Sequence, residues 1–229
     1  MSSPLRTSAA VAAGSGILLG LAHLKSLPMA YTVRSWLILR SLVKRAKANQ
    51  LNPDPLFSVV SLNHRCYWDD IDYNQHMNNS TYNKNLDFSR IYLLYTILPR
   101  VMMEPDHHIF AHNAGVLTLF KKEIAPLQRY TIQSRIWTWN NKWLWLQHRF
   151  VFTRDNKQVV ACIAVSKIVF KRTSGKTVAP AHVLELCGHE LKVEDENRRA
   201  REWEIAGHLL ELDVMFKNPE DWDSPLAKL

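Results

Sequence analysis

The chain has 229 residues, of which 47% are hydrophobic and 22% are charged. This composition is typical of a globular protein and excludes a wholly disordered chain, a collagen and a disulfide-rich miniprotein. The formal net charge is +8, but residues 1–53 contain seven Lys and Arg and no acidic residue. The rest of the chain carries 22 basic and 21 acidic residues. We therefore predict no nucleic-acid-binding face on the body of the protein.

Cysteine and histidine usage predicts neither disulfides nor a metal. The three cysteines are far apart in the sequence and form no C-x-x-C pair, which favours a reducing compartment. A His-rich stretch shows no standard zinc spacing, so we predict no metal site there. The residues concerned are Cys66, Cys162 and Cys187, and Asp106, His107, His108 and His112.

Residues 7–24 carry no charge and are rich in Ala, Gly and Leu. A bilayer-spanning helix needs about 20 predominantly apolar residues, and this run contains His23 and three glycines. A membrane anchor is the preferred interpretation. A mitochondrial presequence also fits the acid-free composition. A cleaved secretory signal is a third alternative, which the cysteine pattern disfavours.

Residues 31–50 have the pattern of a basic amphipathic helix. Such a helix either lies along an anionic membrane surface or packs on the domain with its basic face in solvent. We assign residues 1–50 as the N-terminal anchor. If residues 7–24 span a membrane, the following excess of Lys and Arg places the main domain in the cytosol. The predicted apolar face contains Trp36, Ile38, Leu39, Leu42 and Val43; the basic face contains Arg34, Arg40, Lys44, Arg45 and Lys47.

The body is predicted to be α+β, with one long helix covered by an antiparallel sheet. A strand over residues 56–68 precedes a helix over 79–98, which Pro99 ends. The inward face of that helix contains Tyr82, Leu86, Ser89, Leu93 and Ile97. Later strands are predicted at 115–124, 128–139, 143–153 and 158–170, with WNNK and RDNK as hairpin turns. The last of these strands is apolar on both faces and is expected to be central. The main domain is assigned to 56–175, and a helix over 190–213 braces it within a C-terminal extension, 176–229.

The segment 68–82, WDDIDYNQHMNNSTY, concentrates acids, amides and a histidine just before the long helix. A helix N-terminus offers unpaired N–H groups that can stabilise a negative oxygen in a transition state. A carboxylate beside an imidazole can activate water. The alternative is that these residues only form turns and cap the helix.

The motif D-I-D-Y-N-Q-H-M-N-N-S-T-Y resembles the D-x-D-x-x-G-H-x-N-N-x-x-Y signature of hotdog-fold thioesterases. It is closer still to the D-x-D-x-N-Q-H-V-N-N form of plant acyl-ACP thioesterases. The N-terminal segment and the stretch over 123–151 resemble the membrane-anchored THEM branch of that superfamily. This resemblance covers roughly residues 57–171 and implies a hotdog fold, in which an antiparallel sheet wraps one central helix.

The resemblance also implies site residues. Asp72 matches the carboxylate that acts as nucleophile or base, and Asn74 and His76 match its orienting partners. Glu123 is the best match for a glutamate on the strand after the helix. The cysteine that follows that glutamate in the plant pattern is Ile124 here, so a thiol mechanism is not implied. Gln75 stands where many relatives have glycine.

The implied activity is hydrolysis of an acyl-CoA or acyl carrier protein (ACP) thioester by a membrane-associated homodimer or higher homo-oligomer. The implied mechanism needs no metal and no organic cofactor. Backbone N–H groups near 79–82 would polarise the carbonyl, and Asn78, Asn79 and Tyr82 would contact substrate. The alternative is a non-catalytic hotdog protein that binds acyl groups or scaffolds partners at a membrane; a dehydratase is a third hypothesis. Four tryptophans either line an acyl pocket or lie on the sheet surface or at a dimer contact. They are Trp137, Trp139, Trp143 and Trp145.

Overall fold

The computed structural model describes residues 13–20, 23–103 and 108–210. After a helical stretch at 13–20, the helices are α1 (Ala30–Ala48), α2 (Asn79–Ile97), α3 (Pro99–Met103), α4 (Pro180–Leu186) and α5 (Val193–Gly207). The strands are β1 (Val60–Arg65), β2 (Ile109–Phe120), β3 (Arg129–Trp139), β4 (Trp143–Arg154), β5 (Lys157–Arg172) and β6 (Thr177–Val178). Short 3-10 helices lie at Leu24–Ser26, Trp68–Asp70 and His208–Leu210.

The strands form one antiparallel sheet in the order β1-β3-β4-β5-β2, and β6 pairs with β5. Helix α2 packs on one face of this sheet and contacts β1 and β3. The predicted α+β hotdog arrangement is therefore confirmed. Strand β5 lies between β4 and β2, as its apolar faces predicted.

Helix α2 follows the predicted pattern closely. All five residues of its predicted inward face are buried. The Asn78 side chain accepts a hydrogen bond from Ser80 N–H at 2.8 Å, so Asn78 is the N-cap. The helix ends at Ile97, and Pro99 begins the next one, because proline lacks the N–H group that a continuing helix needs.

Strand β2 departs from the sequence prediction of 115–124, since it spans Ile109–Phe120. Its first residues pair with the far end of β5, where Ile109 lies opposite Arg172. The ladder stops after Phe120 because the N–H groups of Lys121 and Lys122 both donate to the Ala161 carbonyl, at 2.8 and 2.9 Å. Pairing with the long strand β5 thus adds residues 109–114 to β2, which the sequence pattern did not include in a strand.

Both predicted hairpin turns are confirmed. Asp155 and Asn156 have φ values of 49° and 57°, the left-handed pair that a two-residue turn requires and that Asp and Asn tolerate. At the other turn the Asn140 side chain accepts hydrogen bonds from the N–H groups of Lys142 and Trp143, at 2.9 and 2.7 Å.

Helix α1 packs on the domain through its C-terminal half, where Leu42 and Ala46 are buried. Near its other end Arg34 lies over the Phe88 ring of α2, 4.5 Å from the centroid. Of the predicted apolar face, Leu42 is buried on the domain, whereas Trp36 and Leu39 are exposed. Contacts therefore cross the domain boundary assigned at residue 50, and that boundary stays a prediction. Within the described part of the chain, no helix has the length and apolarity that crossing a bilayer requires.

Helix α5 braces the sheet, as predicted. It covers a cluster formed by Trp137, Trp145 and Ala206, and Trp137 Nε1 donates to Glu202 Oε2 at 2.6 Å. Trp139 instead lies in the main core and stacks on Phe57. This arrangement assigns the buried tryptophans to packing of the C-terminal helix and the core, and gives no support to an acyl pocket.

A chain of polar side chains runs through the interior between α2 and the sheet. Ser134 Oγ lies 2.6 Å from both Ser89 Oγ and His148 Nδ1. His148 Nε2 lies 3.0 Å from Ser166 Oγ, which accepts a hydrogen bond from Arg90 at 3.2 Å. Because Arg90 donates to Ser166, the Ser166 hydroxyl is free to donate to Nε2. We infer that His148 is neutral and carries its proton on Nδ1.

Acid is expected to destabilise the fold through His148. Burial, and secondarily the Arg90 charge, lower its pKa from 6.5 to about 3. Between these values the unfolded chain binds a proton that the folded chain does not bind. The free energy of unfolding should therefore fall as the pH drops below 6.5, by about 1 kcal/mol between pH 6.5 and 5.5. Urea unfolding at pH 6.5 and 5.5 measures this slope.

The variant His148→Gln isolates the effect because glutamine does not titrate. We expect a weaker fall in stability for this variant than for the wild type, whereas replacing the exposed His182 by Gln should leave the wild-type slope unchanged. Equal slopes for the wild type and His148→Gln would contradict the assignment.

Candidate active site

The motif folds into a tight loop that precedes α2. Asp72 N–H donates to the His76 carbonyl at 3.1 Å, and Gln75 N–H donates to the Asp72 carbonyl at 3.2 Å. Ile71 and Met77 form an isolated antiparallel bridge that closes the loop. These main-chain bonds hold the side chains of Asp72 and His76 on the same side of the loop.

Asp72, His76 and Glu123 form a carboxylate–imidazole–carboxylate arrangement. His76 Nδ1 lies 3.7 Å from Asp72 Oδ1, and His76 Nε2 lies 3.9 Å from Glu123 Oε1. The side chains of Asp72 and His76 are 16% and 25% exposed, so both reach solvent from a partly covered position. A carboxylate beside an imidazole can take a proton from water and pass it to a leaving group.

Glu123 does not lie on a strand, contrary to the prediction. It follows the end of β2 and its side chain is 77% exposed. Its neighbour Ile124 is buried, and the Ile124 carbonyl accepts a hydrogen bond from Met77 N–H at 2.9 Å. That bond joins the two loops and brings Glu123 to His76.

Asn74 contacts Asp72 through its main chain. Its N–H donates to Asp72 Oδ1 at 2.9 Å, while the residue is exposed. We therefore expect Asn74→Ala to change kcat/KM for thioester hydrolysis by less than about threefold, since alanine keeps the N–H donor. Steady-state kinetics check this result. A loss of a hundredfold or more would assign the catalytic role to the amide side chain, as the sequence motif implied.

Gln75 adopts a left-handed conformation, with φ 66°. Glycine reaches this region without the steric cost that a Cβ atom imposes. The left-handed backbone explains why the related motif has glycine at this position. This chain accommodates glutamine at the same turn.

The N-terminus of α2 is already partly used for capping. Asn78 Oδ1 accepts from Ser80 N–H, and the Asn78 carbonyl accepts from Thr81 N–H at 2.9 Å. Two of the N–H groups expected to polarise a substrate carbonyl are thus engaged. The exposed Asn79 contributes the remaining N–H of the first turn.

Tyr82 is a buried residue in the core beneath the loop and not a surface contact. Its ring packs against Phe120 and Phe150, at centroid distances of 5.0 and 4.9 Å, and burial raises the pKa of its hydroxyl. Burial likewise raises the pKa of Cys66 to about 11 and that of Cys162 to about 12. A raised pKa disfavours the thiolate form that a cysteine nucleophile needs, which agrees with a mechanism without a thiol.

Sequence reasoning missed a buried ion pair between Lys25 and Asp70. Their side chains are 13% and 4% exposed, and Asp70 also accepts a hydrogen bond from Tyr67 N–H at 2.9 Å. The Asp70 carbonyl accepts from Asn78 N–H at 2.8 Å. The N-terminal segment is thus tied to the start of α2. Asp70 belongs to the acidic motif, but no pattern pointed to a lysine 45 residues earlier.

Two pockets accompany this site, and neither is lined by Asp72 or His76. One, of about 370 Å³, lies over the strands on the outer side of the sheet, against Leu119, Arg135 and Ile163. The other, of about 1200 Å³, lies beside the end of β1. In the described residues the Asp72–His76 pair therefore lies outside both cavities.

No metal centre is found among residues 13–20, 23–103 and 108–210, since no three of their His, Cys, Asp or Glu side chains form a suitable group. Asp106 and His107 of the His-rich stretch lie outside these ranges. The expectation of no metal stays a prediction.

Comparison with known proteins gives consistent matches. A family model described as thioesterase-like superfamily matches residues 66–186. The chain is 33% identical to the probable thioesterase YBR096W of Saccharomyces cerevisiae over 178 residues, covering 73% of this chain and 76% of that protein. It is 31% identical to the probable thioesterase atnL of Emericella nidulans over 153 residues, covering 51% and 49%.

Solved structures are similar at lower identity. The 4-hydroxybenzoyl CoA thioesterase from a Pseudomonas strain is 20% identical, with a TM-score of 0.48, covering 56% of this chain and 99% of that one. The probable thioesterase YbaW from Escherichia coli is 19% identical, with a TM-score of 0.49, covering 56% and 94%.

Proposed function

The chain belongs to the thioesterase-like superfamily and is a thioester hydrolase, and from that premise we propose that it cleaves acyl-CoA or acyl-ACP thioesters at the Asp72–His76 site. The observation that carries the site assignment is the position of the His76 ring, between the carboxylates of Asp72 and Glu123, at 3.7 and 3.9 Å. This group lies next to the N-terminus of α2, where partial positive charge favours a developing oxyanion.

In the proposed reaction Asp72 either takes a proton from the water that attacks the acyl carbon, or attacks the acyl carbon itself to form an anhydride that water then hydrolyses. Asp72 Oδ1 accepts the Asn74 N–H bond, which leaves Oδ2 available to react. Asn79 N–H polarises the thioester oxygen. His76 passes a proton to the departing thiolate, and Glu123 holds the imidazole from its other side. Hydrolysis yields a free carboxylic acid and a free thiol.

A thiol-release assay on the full chain tests this proposal with a series of acyl-CoA thioesters of increasing chain length. The full chain is needed because Leu42, Ala46 and Lys25 pack against the domain. Steady release of thiol supports the proposal. A folded protein that binds acyl-CoA and releases no thiol would instead support the non-catalytic acyl-binding alternative.

We also propose that the protein works as a homodimer. Strand β2 is the last strand of the described sheet and pairs only with β5. It is 12 residues long and carries exposed Phe110, Leu119 and Phe120. Long apolar edge strands favour pairing with another chain. A second copy along β2 would enclose the open Asp72–His76 site. Light scattering should give twice the 26.5 kDa chain mass; a monomer at micromolar concentration would contradict the proposal.

Membrane association through the N-terminal segment, as in the THEM branch, is a further part of the proposal. Apolar side chains there are exposed, including Leu18 (70%), Met29 (66%) and Trp36 (54%). Exposed basic residues of α1 accompany them, a combination typical of helices that lie on anionic bilayers.

Flotation with phosphatidylserine-containing vesicles tests the membrane proposal. The wild type should float, and Trp36→Ser combined with Leu37→Ser should weaken binding. Val193→Ser, which removes an even more exposed apolar side chain from α5 (76% exposed), is the control. Equal flotation of all three proteins would count against the proposal.

The proposed topology places the catalytic domain in the cytosol, with a mitochondrial location as the alternative. A C-terminal fluorescent tag on the chain, with and without residues 1–50, distinguishes the two in cells.

A further inference from the structure

A broad groove of about 1200 Å³ lies between the N-terminal segment and the ends of β1, β3 and β4. Its lining contains four basic side chains, from Lys25, Arg34, Arg65 and Arg129. Lys25 is neutralised by Asp70. The three arginines have no acidic side chain within ion-pair distance among the described residues. The groove therefore has an excess of positive charge.

Arg65 and Arg129 face each other directly across the β1–β3 ladder. Side chains at such positions have Cβ atoms about 5 Å apart, and like charges there destabilise the pairing. Their neighbours His64 and Tyr130, also register partners, stack at 5.5 Å. A bound anion between the two guanidinium groups would remove the repulsion, and guanidinium groups suit phosphate oxygens in particular.

The groove also contains buried polar atoms without a hydrogen-bond partner. Four side-chain atoms of this kind occur among the described residues, and two of them, His64 Nε2 and Asp69 Oδ1, belong to groove residues. Native structures rarely leave such atoms unpaired. Burial, with the charges of Arg34 and Lys25, lowers the pKa of His64 to about 4, so its ring is neutral. A ligand with a hydrogen-bond donor would satisfy Asp69.

The groove and the Asp72–His76 site lie at the same end of the sheet. Tyr67 and Asp69 line the groove, and Asp72 follows three residues later. Two main-chain hydrogen bonds join Cys66 to the segment after Glu123. Cys66 N–H donates to the Gln128 carbonyl at 3.0 Å, and the Cys66 carbonyl accepts from Leu127 N–H at 2.7 Å. One continuous ligand that occupies the groove can thus extend towards the catalytic loop.

We infer that this groove binds the phosphate groups of a nucleotide-type thiol carrier, such as the phosphorylated adenosine end of coenzyme A. The identification of the ligand as a thiol carrier rests on the proposed function. The assignment of a phosphate-binding site rests on the groove residues alone. Arg65 and Arg129 hold phosphate oxygens, Arg34 adds to the positive field, and Asp69 accepts a hydroxyl or amide donor. A carrier with several phosphates and several donors matches both the charge and the unpaired atoms, whereas inorganic phosphate matches only the charge.

Calorimetric titration of the full chain with adenosine 3′,5′-bisphosphate tests the site directly. We expect Arg65→Gln and Arg129→Gln each to weaken binding by about tenfold, since a charge-assisted hydrogen bond is lost. Arg172→Gln is the matched control, because Arg172 is an exposed arginine at the end of β5 that lies away from the groove. This variant should bind the bisphosphate as tightly as the wild type.

Kinetics separate the groove from the catalytic site. In both groove variants KM for an acyl-CoA should rise about tenfold with kcat unchanged, and KM for the matching acyl-pantetheine, which lacks the nucleotide, should stay at the wild-type value. Unchanged KM for acyl-CoA in both variants would overturn the inference while hydrolysis itself persists. Conversely, bisphosphate binding that depends on Arg65 and Arg129 in a protein that hydrolyses no thioester would support the groove and refute the proposed function.

Two further experiments distinguish a thiol carrier from other phosphate-containing ligands of the groove. If inorganic phosphate competes as well as the bisphosphate, the groove is a simple anion site and the carrier assignment is wrong. If Arg65→Gln and Arg129→Gln abolish flotation with phosphatidylserine vesicles and the bisphosphate does not bind, the groove holds a lipid headgroup, which also overturns the inference.

Discussion

Replacing Asp72 by asparagine is expected to lower kcat/KM for thioester hydrolysis by about 10³-fold, the size of effect typical for a lost general base. Asparagine has nearly the same shape, and its side-chain oxygen still accepts the Asn74 N–H bond that Asp72 Oδ1 accepts at 2.9 Å. The amide can neither take a proton from water nor attack an acyl carbon. The loss should therefore be chemical, with the loop conformation retained.

Steady-state kinetics and thermal unfolding of Asp72→Asn together check this prediction. The melting temperature should stay close to that of the wild type. Asp155→Asn makes the same chemical change in a hairpin turn, where φ is 49° and asparagine is well tolerated, so its activity should be normal. If Asp72→Asn kept activity within tenfold of the wild type, Asp72 would not be the catalytic carboxylate, and Glu123, on the other side of His76, would be the next candidate.

Replacing Lys25 by methionine is expected to lower the free energy of unfolding by about 3 kcal/mol, as is usual when one partner of a buried ion pair is removed. Methionine fills a similar volume but leaves the Asp70 carboxylate, 4% exposed, without its cation. Asp70 also holds the start of α2, because its carbonyl accepts the Asn78 N–H and the Thr81 hydroxyl. Activity should fall together with stability.

Urea unfolding of the full chain measures this effect. The double variant Lys25→Met with Asp70→Asn should recover much of the lost stability, since no buried charge remains. Lys47→Met, on the exposed side of α1, is the matched control and should change stability by less than about 0.5 kcal/mol. A loss below 1 kcal/mol for Lys25→Met would mean that the N-terminal segment does not pair with Asp70 in solution.

Local patterns predicted the main elements well. The spacing of Tyr82, Leu86, Ser89, Leu93 and Ile97 identified the buried face of α2, since side chains at helical spacing share one face. Asp-Asn and Asn-Asn pairs identified the hairpins because few residues adopt turn conformations at low cost. The acidic and amide-rich motif predicted the loop that carries the candidate site, because core packing does not require such residues.

Pairing between distant segments was harder to predict. Strand β2 begins at Ile109 only because β5 continues to Arg172 and offers partners there. Likewise Glu123 reaches His76 through a bond between Met77 and Ile124, and not through the strand that the pattern predicted. Such features depend on where two chain segments meet, which neither segment encodes by itself.

The sequence by itself determined the α+β class, the central helix and the position of the candidate catalytic loop, because periodicity, turn chemistry and a concentrated polar motif are local properties of the chain. Only the tertiary structure decided that Lys25 neutralises Asp70, that Arg65 faces Arg129, and that Trp36 is exposed while Leu42 is buried. The physical reason is that charge pairing, strand register and burial depend on distances between residues far apart in the chain, and those distances exist only after folding.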